Sequence, residues 1–138
     1  MRNKRIEINE KYKGYEYLVY ATRMGHRCGY VKIPEEHTLN EMDYTDIEDQ
    51  FDIEVHGGLT FSGFITGFID GTILQERCWW IGFDCNHFDD LKDFEIMSHE
   101  YKEAYQCIPQ FYGTIKTKEY VEQECKNLID QIIKYFGR

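Results

Sequence analysis

The C-terminal part of the chain carries an apolar stripe with helical spacing. Between Lys118 and Phe136, apolar residues recur at intervals of four, three, four and four positions, which is the period of one helix face. Thr117 is placed to cap the N-terminus, and Gly137 follows the last turn. A helix with one apolar face must bury it, so the rest of the chain has to supply a covering layer. The stripe consists of Val121, Cys125, Leu128, Ile132 and Phe136, widened by Tyr120, Ile129 and Ile133.

Four segments have the composition of β-strands. Tyr15–Ala21 and residues 28–33 are β-prone runs joined by a short glycine-containing connection, which predicts a hairpin. Residues 51–56 alternate apolar and polar side chains, and residues 78–84 form an aromatic run. Strands followed by a terminal helix predict an α+β fold, an antiparallel sheet packed by the C-terminal amphipathic helix. With 138 residues, two prolines and no low-complexity tract, the chain is expected to form a single domain, residues 1–138.

The remaining segments have weaker patterns. Residues 39–50 are acidic and weakly periodic, which predicts a loop with a short helix. Glycines recur every four positions over residues 63–71, but this stretch is far shorter than the roughly 18 apolar residues that span a membrane. It is interpreted as an aromatic strand or hairpin with glycine breaks. Residues 86–111 are irregular and polar, which predicts a long loop.

Acidic side chains dominate the charge of the chain. The net charge is −9, and acidic residues fill positions 41–54 and recur over positions 89–103. Because phosphate contacts dominate affinity for DNA and RNA, this balance argues against general nucleic-acid binding. The simplest interpretation is a solvated acidic face that maintains solubility. The alternative is a surface for a partner with a basic face, including a nucleic-acid-binding enzyme whose groove it would occupy.

The cysteine content indicates a reducing compartment. The five cysteines are an odd number, and neither a secretory leader nor a membrane-spanning apolar run is predicted. Free or metal-bound thiols are therefore expected, without a disulfide framework. Cys125 lies within the apolar stripe and is expected to be a buried core thiol.

Two short histidine–cysteine pairs are the clearest indication of chemistry. His26 and Cys28 are two residues apart, as are Cys85 and His87. If each pair lies on a strand, its two side chains leave the same face, and imidazole and thiolate are ligands that zinc prefers. The first hypothesis is therefore a closed zinc site formed by all four residues where two strand ends meet. The simpler alternative is two packed cysteines and two unrelated surface histidines.

A second constellation would make an open, catalytic metal site. Asp84, His87 and Asp90 are spaced three apart at a predicted strand end, and His56 lies on the polar face of the strand predicted over residues 51–56. Mixed histidine and carboxylate ligands with a free position suit a metal that activates water. In the simpler interpretation, Asp84 caps a turn and Asp90 belongs to an acidic loop.

Other catalytic motifs do not occur in the sequence. The nucleophile elbow G-x-S-x-G, the P-loop and the G-x-G-x-x-G fingerprint are all missing. The segment His56-Gly57-Gly58 can turn backbone N–H groups toward an anion, but no framed nucleophile accompanies it. The sequence therefore argues against a serine or cysteine hydrolase.

Four blocks of the sequence are distinctive: residues 25–31 (GHRCGYV), 55–62 (VHGGLTFS), 79–87 (WWIGFDCNH) and 120–125 (YVEQEC). Together, and in this order, they resemble a family of small proteins from bacteriophages and mobile elements. Asp84, Cys85, His87 and Asp90 keep the family's pattern Asp-Cys-x-His-x-x-Asp. The resemblance implies a bacterial host cell as the setting, and the cytoplasm as the location. Small acidic phage proteins often inhibit host defence, anti-CRISPR proteins among them, so it also implies a host protein or nucleoprotein as the partner.

Two classes of function are therefore predicted. The first is a non-enzymatic, zinc-stabilised binder that inhibits a host macromolecule, as host-defence and anti-CRISPR inhibitors do. The second is a metal-dependent hydrolase that acts on a nucleotide or another phosphate-containing substrate. The binder is favoured because no segment offers a base–nucleophile pair and the negative charge would repel an anionic substrate.

Overall fold

The computed structural model describes the backbone of residues 5–69, 72–105 and 113–137, and their side chains except those of residues 66–69 and 72–77. In chain order, its elements are β1 (Ile6–Tyr12), β2 (Tyr15–Ala21), β3 (Arg27–Ile33), α1 (Tyr44–Gln50), β4 (Phe61–Ile69), β5 (Thr72–Asp84), β6 (Asp90–Leu91), α2 (His99–Tyr105), β7 (Thr114–Ile115) and α3 (Lys118–Phe136). The centre is a five-stranded antiparallel sheet in the order β1-β2-β3-β5-β4. Because α3 packs across β1, β2 and β3, the fold is α+β, as predicted.

The first three strands form a meander. β2 pairs antiparallel with β3, and Tyr17 lies opposite Val31, so the predicted hairpin is confirmed. The strand β1 was not predicted. It pairs with β2 through a tight turn in which Lys13 and Gly14 have positive φ. Its sequence signal is weak because β1 lies at the sheet edge and much of it faces solvent.

The strand β5 extends well beyond the predicted run over residues 78–84. It pairs with β4 along most of its length, from Thr72 opposite Ile69 to Gly82 opposite Phe61, so the aromatic strand predicted over residues 63–71 is confirmed up to residue 69. Residues 70 and 71 lie outside the described residues. The last part of β5, from Trp79 to Asp84, also pairs with β3 on the other edge, which places β5 between two neighbours and accounts for its aromatic and aliphatic composition.

The helix α3 is the one that the apolar stripe predicts. The Thr117 side chain accepts a hydrogen bond from the Tyr120 N–H, and Gly137, with φ of 74°, follows the last turn. Cys125 is fully buried, as expected for a core thiol. Tyr120, in contrast, is 39% exposed and does not widen the apolar stripe in the core. The buried residues of α3 are Val121, Cys125, Leu128, Ile129 and Ile132.

The structure forms no strand over residues 51–56, so the prediction of a strand there is wrong. The alternation correctly places Ile53 in the core and leaves Glu54 exposed. The backbone pairs with side chains of α3 instead of with another strand. The Asp52 N–H donates to the Tyr135 hydroxyl at 3.0 Å, and the Glu54 N–H donates to the Gln131 side-chain oxygen at 2.7 Å. The segment is therefore attached along α3, in a fixed path toward His56.

Two further helices lie outside the sheet. The short helix predicted within residues 39–50 is α1, which Asp43 caps by accepting from the Thr45 N–H. The long loop predicted over residues 86–111 is interrupted by β6 and α2, so that prediction is wrong in part. The strand β6 pairs in parallel with β7. Residues 106–112 lie outside the described residues.

Arg27 is a buried ionic link between the sheet and the segment after β5. Its guanidinium lies 2.6 Å from Glu7 and 3.0 Å from Asp93, and its side chain is 7% exposed. It also donates to the carbonyl oxygen of Lys116 at 3.1 Å. These contacts fix the positions of the β6 and β7 segments relative to the sheet.

Candidate metal centre

Several chain segments meet at the end of the sheet where β5 finishes. The loop before β4, the end of β5, the strand β6 and the first turns of α3 all reach this point. Among the described residues, one group of side chains could hold a metal ion, and it consists of His56, Cys85 and Asp90. One donor atom from each residue lies within 4.8 Å of the others. The three residues come from three separate segments, so the fold itself gathers them.

Asp90 is the anionic centre of this group. Its side chain is 1% exposed and accepts from His56 Nε2 at 2.9 Å, from the His87 N–H at 3.0 Å and from Lys116 Nζ at 3.1 Å. Burial by itself would raise the pKa of Asp90. The hydrogen bonds from His56, His87 and Lys116 outweigh burial and lower that pKa to about 2. Asp90 is therefore an ionised carboxylate at neutral pH.

His56 is fixed between α3 and Asp90. The backbone N–H of His56 donates to the Glu124 carboxylate at 2.8 Å, and the ring Nδ1 lies 2.8 Å from the Tyr120 hydroxyl oxygen. When Nδ1 carries no proton, it accepts from the Tyr120 hydroxyl; because an ionised carboxylate only accepts, Nε2 donates its proton to Asp90. A metal bound at Nε2 would replace that proton, and Nδ1–H would then donate to the Tyr120 oxygen. The ring is thus held in an orientation that suits both the metal-free and the metal-bound histidine.

Cys85 supplies the sulfur donor. It follows β5 directly, is 2% exposed and belongs to the core cluster on the α3 side of the sheet. Burial raises the pKa of Cys85, and the negative charge of Asp90 acts in the same direction. Without a cation, Cys85 is therefore a neutral thiol, and a bound metal would deprotonate it.

The structure does not bring together the four residues of the first zinc hypothesis. They are His26, Cys28, Cys85 and His87. Cys28 lies opposite Asp84 in the register of β3 and β5, so its side chain shares the sheet face of Tyr30, away from α3. Cys85 is one residue further along and lies on the α3 face. Burial raises the pKa of Cys28 to about 11, so it too is a neutral buried thiol.

His26 lies in the connection between β2 and β3. Its Nδ1 is 3.2 Å from the Thr22 hydroxyl oxygen, which also donates to the His26 carbonyl. Burial lowers the pKa of His26, and the charge of Lys92 acts in the same direction. The contacts of its ring are those of a turn residue, not those of a ligand to the group around Asp90.

Part of the second constellation is assembled. His87 joins His56 at the Asp90 carboxylate, with His87 Nδ1 3.3 Å from Asp90 Oδ2. Asp84 lies beside His87 but accepts the Asn86 N–H at 3.2 Å, so it caps a turn, as in the simpler interpretation. Asp84 is not in the group whose donor atoms converge.

Sequence reasoning missed Lys116 and Tyr120. Lys116 Nζ binds Asp90 and also donates to the Thr114 hydroxyl at 2.7 Å and to the Asp89 carbonyl at 3.2 Å. Nothing in the local sequence marks this lysine, because its partners come together only in the fold. Tyr120 had the spacing of an apolar core residue, but it lies at the first turn of α3 and contacts His56.

Comparisons of the chain with protein-family models, with curated proteins and with solved structures find no match. Among the described residues, no helix is both long and apolar enough to cross a lipid bilayer.

Proposed function

We propose that the protein is a small acidic metal-binding protein that acts by binding and inhibiting a host macromolecule, and that zinc held at His56, Cys85 and Asp90 stabilises its fold. The observation that carries the metal-binding part of this proposal is the convergence of one nitrogen, one sulfur and one carboxylate oxygen within 4.8 Å. A metal there would cross-link the loop before β4, the end of β5 and β6. Such a cross-link adds its binding free energy to the stability of the folded state.

The charges of the three side chains suit a divalent ion. Asp90 is anionic, Cys85 would bind as a thiolate, and His56 would bind as a neutral imidazole. Two negative ligands would offset the two positive charges of Zn²⁺, which is costly to bury uncompensated, and the Lys116 ammonium beside Asp90 would remain as a further positive charge at the edge of the site. The thiolate and imidazole donors favour zinc over magnesium or calcium, which prefer oxygen ligands.

The surface around α1 supports the binding role. We call Asp43, Asp46, Asp49, Asp52 and Glu54 the acidic patch; all five are exposed. No lysine or arginine occurs between Lys32 and Arg77. None of the ion pairs among the described residues involves a carboxylate of the patch. A concentrated negative field of this kind accelerates encounter with a basic surface.

The resemblance to bacteriophage and mobile-element proteins supports a partner from the bacterial host, and it supports the cytoplasm of that host as the location. An inhibitor of host defence, of the anti-CRISPR kind, would meet a nucleoprotein or nuclease whose nucleic-acid groove is basic. The acidic patch would occupy such a groove as a competitor of the phosphate backbone.

A metal-dependent hydrolase is the second candidate. It is favoured by the number of convergent ligands, since three protein ligands leave a fourth position at which a zinc ion could hold a water. The net charge of −9 opposes it, because a nucleotide or phosphate substrate would be repelled.

The test of the binding role compares two charge-reversed variants in capture from a bacterial lysate. One variant carries Asp46→Lys, Asp49→Lys and Asp52→Lys; the matched control carries Glu95→Lys, Glu100→Lys and Glu103→Lys. The two sets change the net charge equally, and all six residues are exposed. A partner captured by the wild type is identified, purified and assayed for its association rate at several salt concentrations.

The patch variant is expected to associate about tenfold more slowly and with a weaker salt dependence, while the control keeps most of the wild-type rate. Equal rates for the wild type and the patch variant would overturn the electrostatic part of the proposal. Turnover of a nucleotide by the zinc-loaded protein would favour the hydrolase instead.

A further inference from the structure

His87 lies directly beside the three donor residues. Its Nδ1 is 3.3 Å from Asp90 Oδ2, and its backbone N–H donates to the same oxygen at 3.0 Å. Its ring centroid lies 5.7 Å from that of His56, with the two planes at 69°. Its side chain is 37% exposed, whereas that of Asp90 is 1% exposed. His87 therefore covers the solvent side of the group.

The turn after His56 leaves room for the His87 ring. A Cβ atom built on Gly57 would lie 2.2 Å from His87 Cε1 and 2.6 Å from its Nε2. Gly57 also has a φ of 68°, which a residue with a side chain rarely adopts. Any other residue at position 57 would displace the imidazole. The chain thus seats the ring of His87 against the backbone that carries His56.

The separation of His87 and Asp90 matches that of two ligands on one tetrahedral ion. For metal–nitrogen and metal–oxygen bonds of about 2.0 Å, neighbouring donors of a tetrahedron lie about 3.3 Å apart. His87 Nδ1 and Asp90 Oδ2 are 3.3 Å apart. His87 is outside the group in which all donor atoms lie within 4.8 Å of one another, so a change in its exposed side-chain torsions that keeps Nδ1 beside Asp90 Oδ2 has to bring it within reach of the other two donors.

We propose that His87 is the fourth protein ligand and closes the site around a tetrahedral zinc ion, with no position left for water. This inference rests on the proposed metal site of His56, Cys85 and Asp90. A ligand set of two histidines, one cysteine and one aspartate makes the site structural, because a catalytic zinc keeps one position for water or substrate. Closure by His87 therefore separates the binder from the hydrolase.

The test uses cobalt(II) in place of zinc, because the absorption of cobalt reports both the ligands and their number. Wild-type protein stripped of metal is titrated with Co²⁺, and azide is then added as a small ligand for any open position. The same measurements are made on His87→Ala and on the matched control His26→Ala, which removes a histidine from outside the group. The wild-type measurement needs no substitution, so a folding defect in a variant leaves it intact.

A thiolate-to-cobalt charge-transfer band and a strong tetrahedral d–d spectrum, both unchanged by azide, are expected for the wild type and for His26→Ala. His87→Ala is expected to keep the thiolate band and to change its d–d spectrum on addition of azide. If the wild type shows no thiolate band, the metal site itself fails. If the band forms but azide changes the wild-type spectrum as much as that of His87→Ala, the site is open and only the role of His87 is overturned.

Discussion

Truncation of Leu128 tests the packing of α3 on the sheet. Leu128 is 0% exposed and lies in the core cluster between the helix and the strands. Leu128→Ala removes three carbon atoms, worth about 2.4 kcal/mol at roughly 0.8 kcal/mol per buried methylene. The cavity that remains adds to this because the strands below cannot collapse into it, so we expect a loss of about 3 kcal/mol in the free energy of unfolding.

The assay is urea denaturation followed by circular dichroism, with a thermal melt alongside. With an entropy of unfolding of roughly 2.1 cal/mol/K per residue over 138 residues, a loss of about 3 kcal/mol in stability lowers Tm by about 10 °C. The matched control is Lys134→Ala, on the exposed face of the same helix, which is expected to change stability by less than about 0.5 kcal/mol. A loss below about 1 kcal/mol for Leu128→Ala would refute the packing of α3 described above.

Two further predictions concern buried groups. Arg27→Met should lower the free energy of unfolding, measured by urea titration, by about 3–5 kcal/mol, because it leaves two mostly buried carboxylates without their cation. The control Arg23→Met breaks an exposed ion pair and should lower it by less than about 1 kcal/mol. Similar losses for the two variants would contradict the buried ionic link. Cys85→Ser should abolish stoichiometric zinc binding measured by calorimetry, whereas Cys28→Ser should retain it, because its thiol lies on the other face of the sheet. Loss of zinc from both variants would return Cys28 to the ligand set.

The helix α3 could be predicted from the sequence because its determinants are local. The spacing of Val121, Cys125, Leu128 and Ile132 fixes the buried face, and Thr117 fixes the start. The hairpin of β2 and β3 is likewise a local pattern. The strand β1 escaped prediction because an edge strand with exposed side chains lacks a strong apolar alternation.

The error over residues 51–56 has a different cause. Alternation correctly predicted that Ile53 is buried, but it does not specify what the backbone pairs with. Gln131 and Tyr135 supply those hydrogen bonds from the far end of the chain, 77 and 83 residues away. No local pattern encodes such a partner.

The ligand set depended on strand register. A spacing of two residues places a histidine and a cysteine on one face, but only the pairing of two strands decides which face that is. Because Cys28 lies opposite Asp84, the next residue, Cys85, lies on the other side of the sheet. The sequence did single out all three residues, with Cys85 in the closed zinc site and His56 and Asp90 in the open catalytic site. The fold combines them in one group.

The zinc content and zinc response of the untagged protein test the central claim most directly. Protein purified without chelators is analysed for metal, stripped, and titrated with Zn²⁺ while its Tm is followed. We expect about one zinc per chain in the wild type. At a free zinc concentration of 100 times Kd, zinc should raise the free energy of unfolding by about 2.7 kcal/mol, which corresponds to a rise in Tm of about 9 °C for a chain of this length. His56→Ala and Asp90→Asn should lose this response. A metal-free protein whose melting curve is unchanged by zinc would contradict the metal centre and leave Asp90 as part of a hydrogen-bonded cluster with His56, His87 and Lys116.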